Sequence, residues 1–449
     1  MTARTKTHRA SAWQGALELA ERTPASRNRY ADFLRAASIL VVVLGHWLMA
    51  APYMRPDLAG ARPELGHILG ISAWTHWLTW ALQVMPVFFL VGGFSNSISW
   101  QKATQRGSSY AVWLDSRLRR LVAPVLPLLA AWAILGAGAQ LLEISPATLR
   151  VGSQVALVPT WFLSVYLLVI LAVPLTFRAW QRMGMWSFVL LAGVATLVDI
   201  GAFGAGLASL RWLNYAFVWA AVHQLGYAWR AGRLDRWRRL LLASGGLAVL
   251  FSLVHFGPFP VSMVGVPGEE VSNSLPPTVA LLALGMFQGG LLLSLETRAR
   301  EWLEGRAAWA ATVLVNANIM TLYLWHSTVL VLVIGALVAF GGPGLGLEPA
   351  TGTWWLSRIP WVLGLALLLL PFLAVFGRFE RSAPTHGSPR EAWQLLASSA
   401  LFCVGIALLA LGGVGGGRFG LRVFVLALPF VGAVVGGLIP RGSSEPRSS

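Results

Sequence analysis

Apolar runs of membrane-spanning length recur along the 449-residue chain, separated by short polar segments rich in Arg and Gly. About 20 apolar residues suffice to cross a bilayer core as a helix. On that measure the pattern predicts spans over residues 34–54, 77–99, 121–141, 159–177, 185–203, 212–229, 240–257, 277–295, 309–339, 355–377, 395–413 and 420–438. The expected fold is all-α, a polytopic transmembrane helix bundle of about ten core helices plus two C-terminal helices. The run 309–339 is longer than one span needs, so it should tilt or break near its Gly and Asn residues. The last two runs are Gly-rich and could form one re-entrant unit.

Composition supports a membrane solvent. Hydrophobic residues make up 56% of the chain and charged residues 12%, about half the charged fraction of a soluble domain. The net charge of +16 is carried by Arg clusters between apolar runs, without a basic, aromatic-studded soluble domain, so nucleic acid is not the expected partner. Placing the N-terminus inside puts 26 of the 34 Lys and Arg residues in cytoplasmic segments and seven outside. That asymmetry follows the positive-inside rule and predicts a multi-pass protein of the inner (plasma) membrane, with both termini cytoplasmic. No cleavable signal peptide is read in the polar first 30 residues. The single cysteine, Cys403, allows no disulfide, and no metal site is expected.

Ionisable and polar groups inside spans are the first candidates for function. In the first span Asp32 and Arg35 are three residues apart and share a helix face. His46 follows Gly45, eleven residues beyond Arg35, which places it about 16 Å deeper on the same face. This suggests a polar cleft; the alternative is a structural ion pair and a hydrogen-bonded core histidine. Arg117 and Arg120 form a second cluster before Pro124, able to grip phosphates or merely to flank a span. A third group comprises Asn316, Asn318, Thr321, Tyr323 and His326, readable also as interhelical hydrogen-bonding glue. A fourth is Trp161-Phe162-Leu163, whose Trp161 could be only a belt aromatic. Asn96, Asp199, Asn214 and His223 read as structural, with Asp199 also a conceivable partner for His46.

In this order the four clusters resemble the acyltransferase-3 family of integral-membrane acyltransferases. Its first helix carries an Asp, an Arg three later and a Gly-His, matched by Asp32, Arg35, Gly45 and His46. Its Arg-x-x-Arg signature is matched by Arg117 and Arg120, its Trp-Phe-Leu by Trp161–Leu163, and its Tyr-Leu-x-His by Tyr323, Leu324 and His326. The resemblance covers about residues 28–380. The chain would then divide into a cytoplasmic flexible tail (1–27), an acyltransferase-like transmembrane domain (28–382), additional C-terminal helices (383–439) and a second cytoplasmic tail (440–449).

The resemblance implies an O-acyltransferase that moves an acyl group, foremost acetyl, from cytoplasmic acyl-CoA to a hydroxyl of an extracytoplasmic glycan, lipid or small molecule. Acyl-CoA would be a co-substrate, with no permanently bound cofactor. His46 would be the catalytic base; Arg35, Arg117 and Arg120 would hold the CoA phosphates; Asp32, Trp161, Tyr323 and His326 would support the site. The chain departs from the family's polysaccharide O-acetyltransferases, which carry a Glu pair where Tyr166 and Leu167 follow Val165 here. The competing reading is a transporter or flippase of an amphipathic substrate, for which paired broken helices in repeated halves would be expected but are not evident.

Overall fold

The structure is a computed structural model describing residues 12–24, 27–54, 64–381, 390–417 and 420–439. The described residues open with α1 (Ala12–Glu21) and the long α2 (Arg29–Met49), followed by a hairpin of β1 (Ala50–Tyr53) and β2 (Glu64–His67). Short α3 (Ile68–Ile71) and α4 (Thr75–Leu82) lead to α5 (Met85–Gln105), α6 (Tyr110–Val122) and α7 (Val125–Leu141). Next come α8 (Pro146–Leu157), α9 (Thr160–Leu171), α10 (Val173–Met183), α11 (Met185–Asp199) and α12 (Asn214–Arg230). The second half comprises α13 (Arg236–Phe256), α14 (Val279–Ser294), α15 (Glu296–Trp302), α16 (Arg306–Asn316), α17 (Ile319–Ala339), α18 (Gly352–Arg381), α19 (Ala392–Gly412) and α20 (Val423–Val435).

Among the described residues, eight helical segments are long and apolar enough to span a membrane, or ten if each of two bent pairs is one span. These ten correspond to ten of the expected spans. The other two expected spans are shorter helices, α12 with 17 residues and α20 with 13. The expected span 159–177 is instead α8 and α9, bent by 46° where Pro159 interrupts the ladder. The span 277–295 becomes α14 bent by 52° into α15. The long run 309–339 does break at its asparagines, between α16 and α17. The end of the first expected span is strand rather than helix: at 50–53, Pro52 cannot continue the helix and the chain turns into β1.

Where helices cross, small residues let backbones touch. A Cβ on Gly93 of α5 would fall 2.0 Å from the His223 carbonyl oxygen of α12, and one on Gly226 would fall 2.1 Å from the Leu90 carbonyl oxygen. The other face of the bundle is apolar and open. Helix α13 leaves Leu240, Leu241, Val249, Phe251 and Phe256 exposed, and α18 does the same with Leu356, Ile359, Leu363 and Leu367. Such faces suit lipid and would associate in water.

The N-terminal stretch read as a flexible tail contains α1, which packs on α16. Glu21 meets Arg306 at 2.5 Å and Thr23 accepts from the Trp309 indole at 3.0 Å. The second tail, 440–449, lies outside the described residues.

Candidate active site

Helix α2 carries polar groups at both ends because its apolar run starts after Arg35 and stops at Gly45-His46. At the N-terminal end the side chain of Asn28 caps the helix by accepting from Ala31 N–H at 3.1 Å. The Asp32 carboxylate is buried between two arginines, accepting from Arg27 at 2.5 Å and from Arg35 one turn on. Its backbone carbonyl accepts from Asn316 at 2.9 Å, which ties α2 to the break before α17.

Helix α6 brings a second set of guanidinium groups to this end. Arg117 is within electrostatic reach of Arg35, Arg120 and Tyr166, so the three arginines singled out in the sequence form one cationic cluster. Arg119 is neutralised by Asp115 at 2.8 Å, whereas no carboxylate meets Arg117 or Arg120 among the described residues. Arg117 lies 5.8 Å over the Trp113 ring, and the Nε of both Arg35 and Arg117 is buried without a partner. Arg35 is already paired with Asp32, and each of these guanidinium groups keeps a donor of the kind that carboxylates and phosphates accept. Beside them α1 and α16 enclose an open pocket of about 340 Å³ lined by Arg22, Arg27, Trp309 and Asn316 among others.

At the far end of α2, His46 meets His326 of α17. Their Nδ1 and Nε2 atoms are 2.8 Å apart and the rings are nearly parallel, at 8°. Hydrogen bonding fixes the protons. His326 Nδ1 faces the carbonyl oxygens of Tyr323 at 2.8 Å and Leu322 at 3.2 Å. A carbonyl only accepts, so Nδ1 carries the hydrogen and neutral His326 presents a lone pair at Nε2. His46 Nδ1–H therefore donates to it, and the lone pair of His46 is left on Nε2. Ser327 Oγ, 3.1 Å from His326 Nε2, can donate to the same acceptor. His326 is wholly buried and His46 only half so. Apart from its two chain neighbours and its own helix backbone, no described atom lies within 4 Å of where a Cβ on Gly45 would stand, so α2 is open at that position.

Neighbouring contacts lock this pair. The Trp47 indole donates to the His326 carbonyl at 3.1 Å, and the Trp361 indole of α18 donates to the Trp47 carbonyl at 3.1 Å. The Tyr323 hydroxyl donates to the Pro159 carbonyl, and its ring meets Phe162 at 5.9 Å. Glu380 caps α17, accepting from Met320 N–H at 3.0 Å and Thr321 N–H at 3.1 Å. His67 of β2 is within electrostatic reach of His46; burial holds it below its usual pKa. With its Nδ1 accepting from Leu69 N–H at 3.3 Å, the neutral His67 keeps its hydrogen on Nε2.

A family model described as an acyltransferase domain, that of the acyltransferase-3 family, matches residues 28–376. The chain belongs to the acyltransferase-3 family. No curated protein and no solved structure matches it. As an acyltransferase-3 protein it is a membrane acyltransferase, and the matched segment holds both the cationic cluster and the histidine pair.

Not every expected residue joins these two centres. Trp161 packs on Phe162 at 6.5 Å and Tyr215 at 6.3 Å, with no ring contact to either histidine. Asn318 shares no interaction with His326; it turns back to the Leu314 carbonyl at 3.1 Å. Asp199, a conceivable partner of His46, is instead bound to Asn214 at 2.8 Å and Val279 N–H at 2.7 Å. Sequence reasoning missed the ligand-like role of His326 toward His46, and it also missed Arg358. In the sequence Arg358 is one of the seven outside charges and nothing more, yet it is buried against Trp354 and Trp361.

Proposed function

We propose that this acyltransferase-3 protein moves an acyl group, foremost acetyl, from cytoplasmic acyl-CoA to a hydroxyl acceptor at the opposite side of the membrane. The hydrogen-bond chain from the Tyr323 carbonyl through His326 to His46 carries the reading. It leaves a base lone pair on His46 Nε2, at the end of α2 opposite the arginine cluster.

In this mechanism the CoA phosphates bind Arg35, Arg117 and Arg120, and the pantetheine arm reaches along α2 toward His46. The acceptor oxygen attacks the thioester carbonyl while His46 Nε2 takes its proton. The tetrahedral intermediate collapses, the C–S bond breaks, and the departing sulfur takes the proton from His46 to leave as free CoA. His326 Nε2 accepts from His46 Nδ1–H throughout, which orients the ring and stabilises the transient imidazolium. Base catalysis of this kind contributes about 10²–10⁴-fold. The charge asymmetry of the loops supports an N-terminus on the cytoplasmic side, where acyl-CoA is found.

Two measurements test this. Purified protein should bind labelled acetyl-CoA saturably, with competition by free CoA; no saturable binding removes the donor assignment. Cells lacking the protein should lose an acyl mass from an envelope glycan or lipid, and an unchanged mass-spectrometric profile argues against the acceptor side.

A further inference from the structure

Arg358 occupies the end of the bundle at which His46 lies. It sits one turn before Trp361, whose indole is bonded to the carbonyl of Trp47, the residue after His46. Only 8% of Arg358 is exposed, and its guanidinium is sandwiched 4.3 Å from the Trp354 ring and 5.0 Å from the Trp361 ring. No carboxylate pairs with it among the described residues. Its Nε and Nη1 are buried without a hydrogen-bond partner, and Nη2 reaches only Ser357 Oγ at 3.3 Å. The indole N–H of Trp354, on the same face one turn earlier, is also buried without a partner.

A cation removed from water without a counter-charge is costly, and two aromatic faces offset only part of that. All three unused groups here are donors, so the missing partner is rich in acceptors and poor in donors, which describes an ionised oxyanion. The surroundings indicate its source. Trp354 packs on Trp355 at 4.8 Å and Trp355 on Trp74 at 5.7 Å, while Trp74, Trp77, Leu78 and Leu82 are exposed around α4. Tryptophan in this density marks the headgroup level of a bilayer, where lipid phosphates lie.

We propose that Arg358 and the Trp354 indole form a binding site for the phosphate of an amphiphilic acceptor, entering from the lipid beside α4 and presenting its hydroxyl to His46. The acceptor role rests on the acyl-transfer reading above; the phosphate site itself does not.

The test uses the full chain in dodecyl maltoside, which carries no phosphate. Binding of phosphatidylglycerol, diacylglycerol, sn-glycerol 3-phosphate and glycerol is measured by native mass spectrometry and tryptophan fluorescence. Phosphatidylglycerol should bind at least tenfold more weakly to Arg358→Gln than to wild type, with Arg358→Lys between them and diacylglycerol indifferent to both changes. Binding of glycerol 3-phosphate alone, lost in Arg358→Gln, keeps the phosphate site but moves its ligand from lipid to solution. Equal phosphate binding by wild type and Arg358→Gln, or none by wild type, overturns the site. A gel-filtration profile and thermal midpoint close to those of wild type report that the variants are folded. Phosphate binding without any His46-dependent acyl transfer would overturn the functional reading and leave the site standing.

Discussion

His46 and His223 are both imidazoles inside apolar helices, yet their surroundings differ at every ring nitrogen. His223 is sealed: its Nε2 faces the Asn96 amide at 3.2 Å, its Nδ1 is buried without a partner, and its backbone carbonyl is pressed against Gly93. Its ring lies edge-on to Tyr227 at 4.9 Å. His46 has one nitrogen held by a wholly buried neighbour, while the residue as a whole remains partly exposed next to the open Gly45 position. A histidine in a membrane is therefore no site by its chemistry alone. It becomes one when packing fixes one nitrogen and leaves the residue within reach of a substrate, where His223 is sealed.

The sharpest break of this comparison is substitution at the two rings. His46→Ala should lower kcat for acyl transfer by about 10³-fold, near the middle of what a general base contributes, with donor affinity unchanged. Retained turnover would put the base elsewhere. His326→Ala should cost about 100-fold in kcat, because the unsupported His46 ring can rotate and exchange tautomers. His326→Gln, whose carbonyl can still accept from His46 Nδ1–H, should recover part of that loss; equal loss in both variants would make His326 mere packing.

A smaller effect is expected at the donor end. Arg117→Ala with Arg120→Ala should raise the KM for acyl-CoA about tenfold, the loss of roughly one charge-assisted phosphate contact, with kcat little changed. A normal KM would return these residues to fixing topology. The smallest catalytic effect belongs to the sealed histidine. His223→Ala should leave kcat within about twofold while lowering the thermal midpoint by a few degrees, as a core cavity does. Strong loss of activity in a stable His223→Ala protein would erase the distinction drawn above.

The helices were legible because apolar length is a direct consequence of the bilayer, and ten of the expected spans match helices or bent helix pairs. The α2 residues were legible because Asp32, Arg35 and His46 sit on one element whose geometry is fixed. Other features needed tertiary contact. His46 and His326 are 280 residues apart, and nothing local marks them as partners. Strand β1 was invisible inside a run that reads as helix, and its partner β2 lies in the segment between two expected spans. Arg358 looked like any loop-flanking charge until α18 brought it between two tryptophans. Asp199 shows the converse: a membrane carboxylate that seemed available is used to hold α11, α12 and α14 together.

The claim on which the mechanism turns is the tautomer of His46, and nitrogen-15 solid-state NMR of histidine-labelled protein reads it directly, with His46→Asn identifying the resonances. At neutral pH the account predicts a protonated Nδ1 in contact with His326 and an unprotonated Nε2. A His46 ring carrying its hydrogen on Nε2 would have no lone pair for the acceptor hydroxyl and would contradict it.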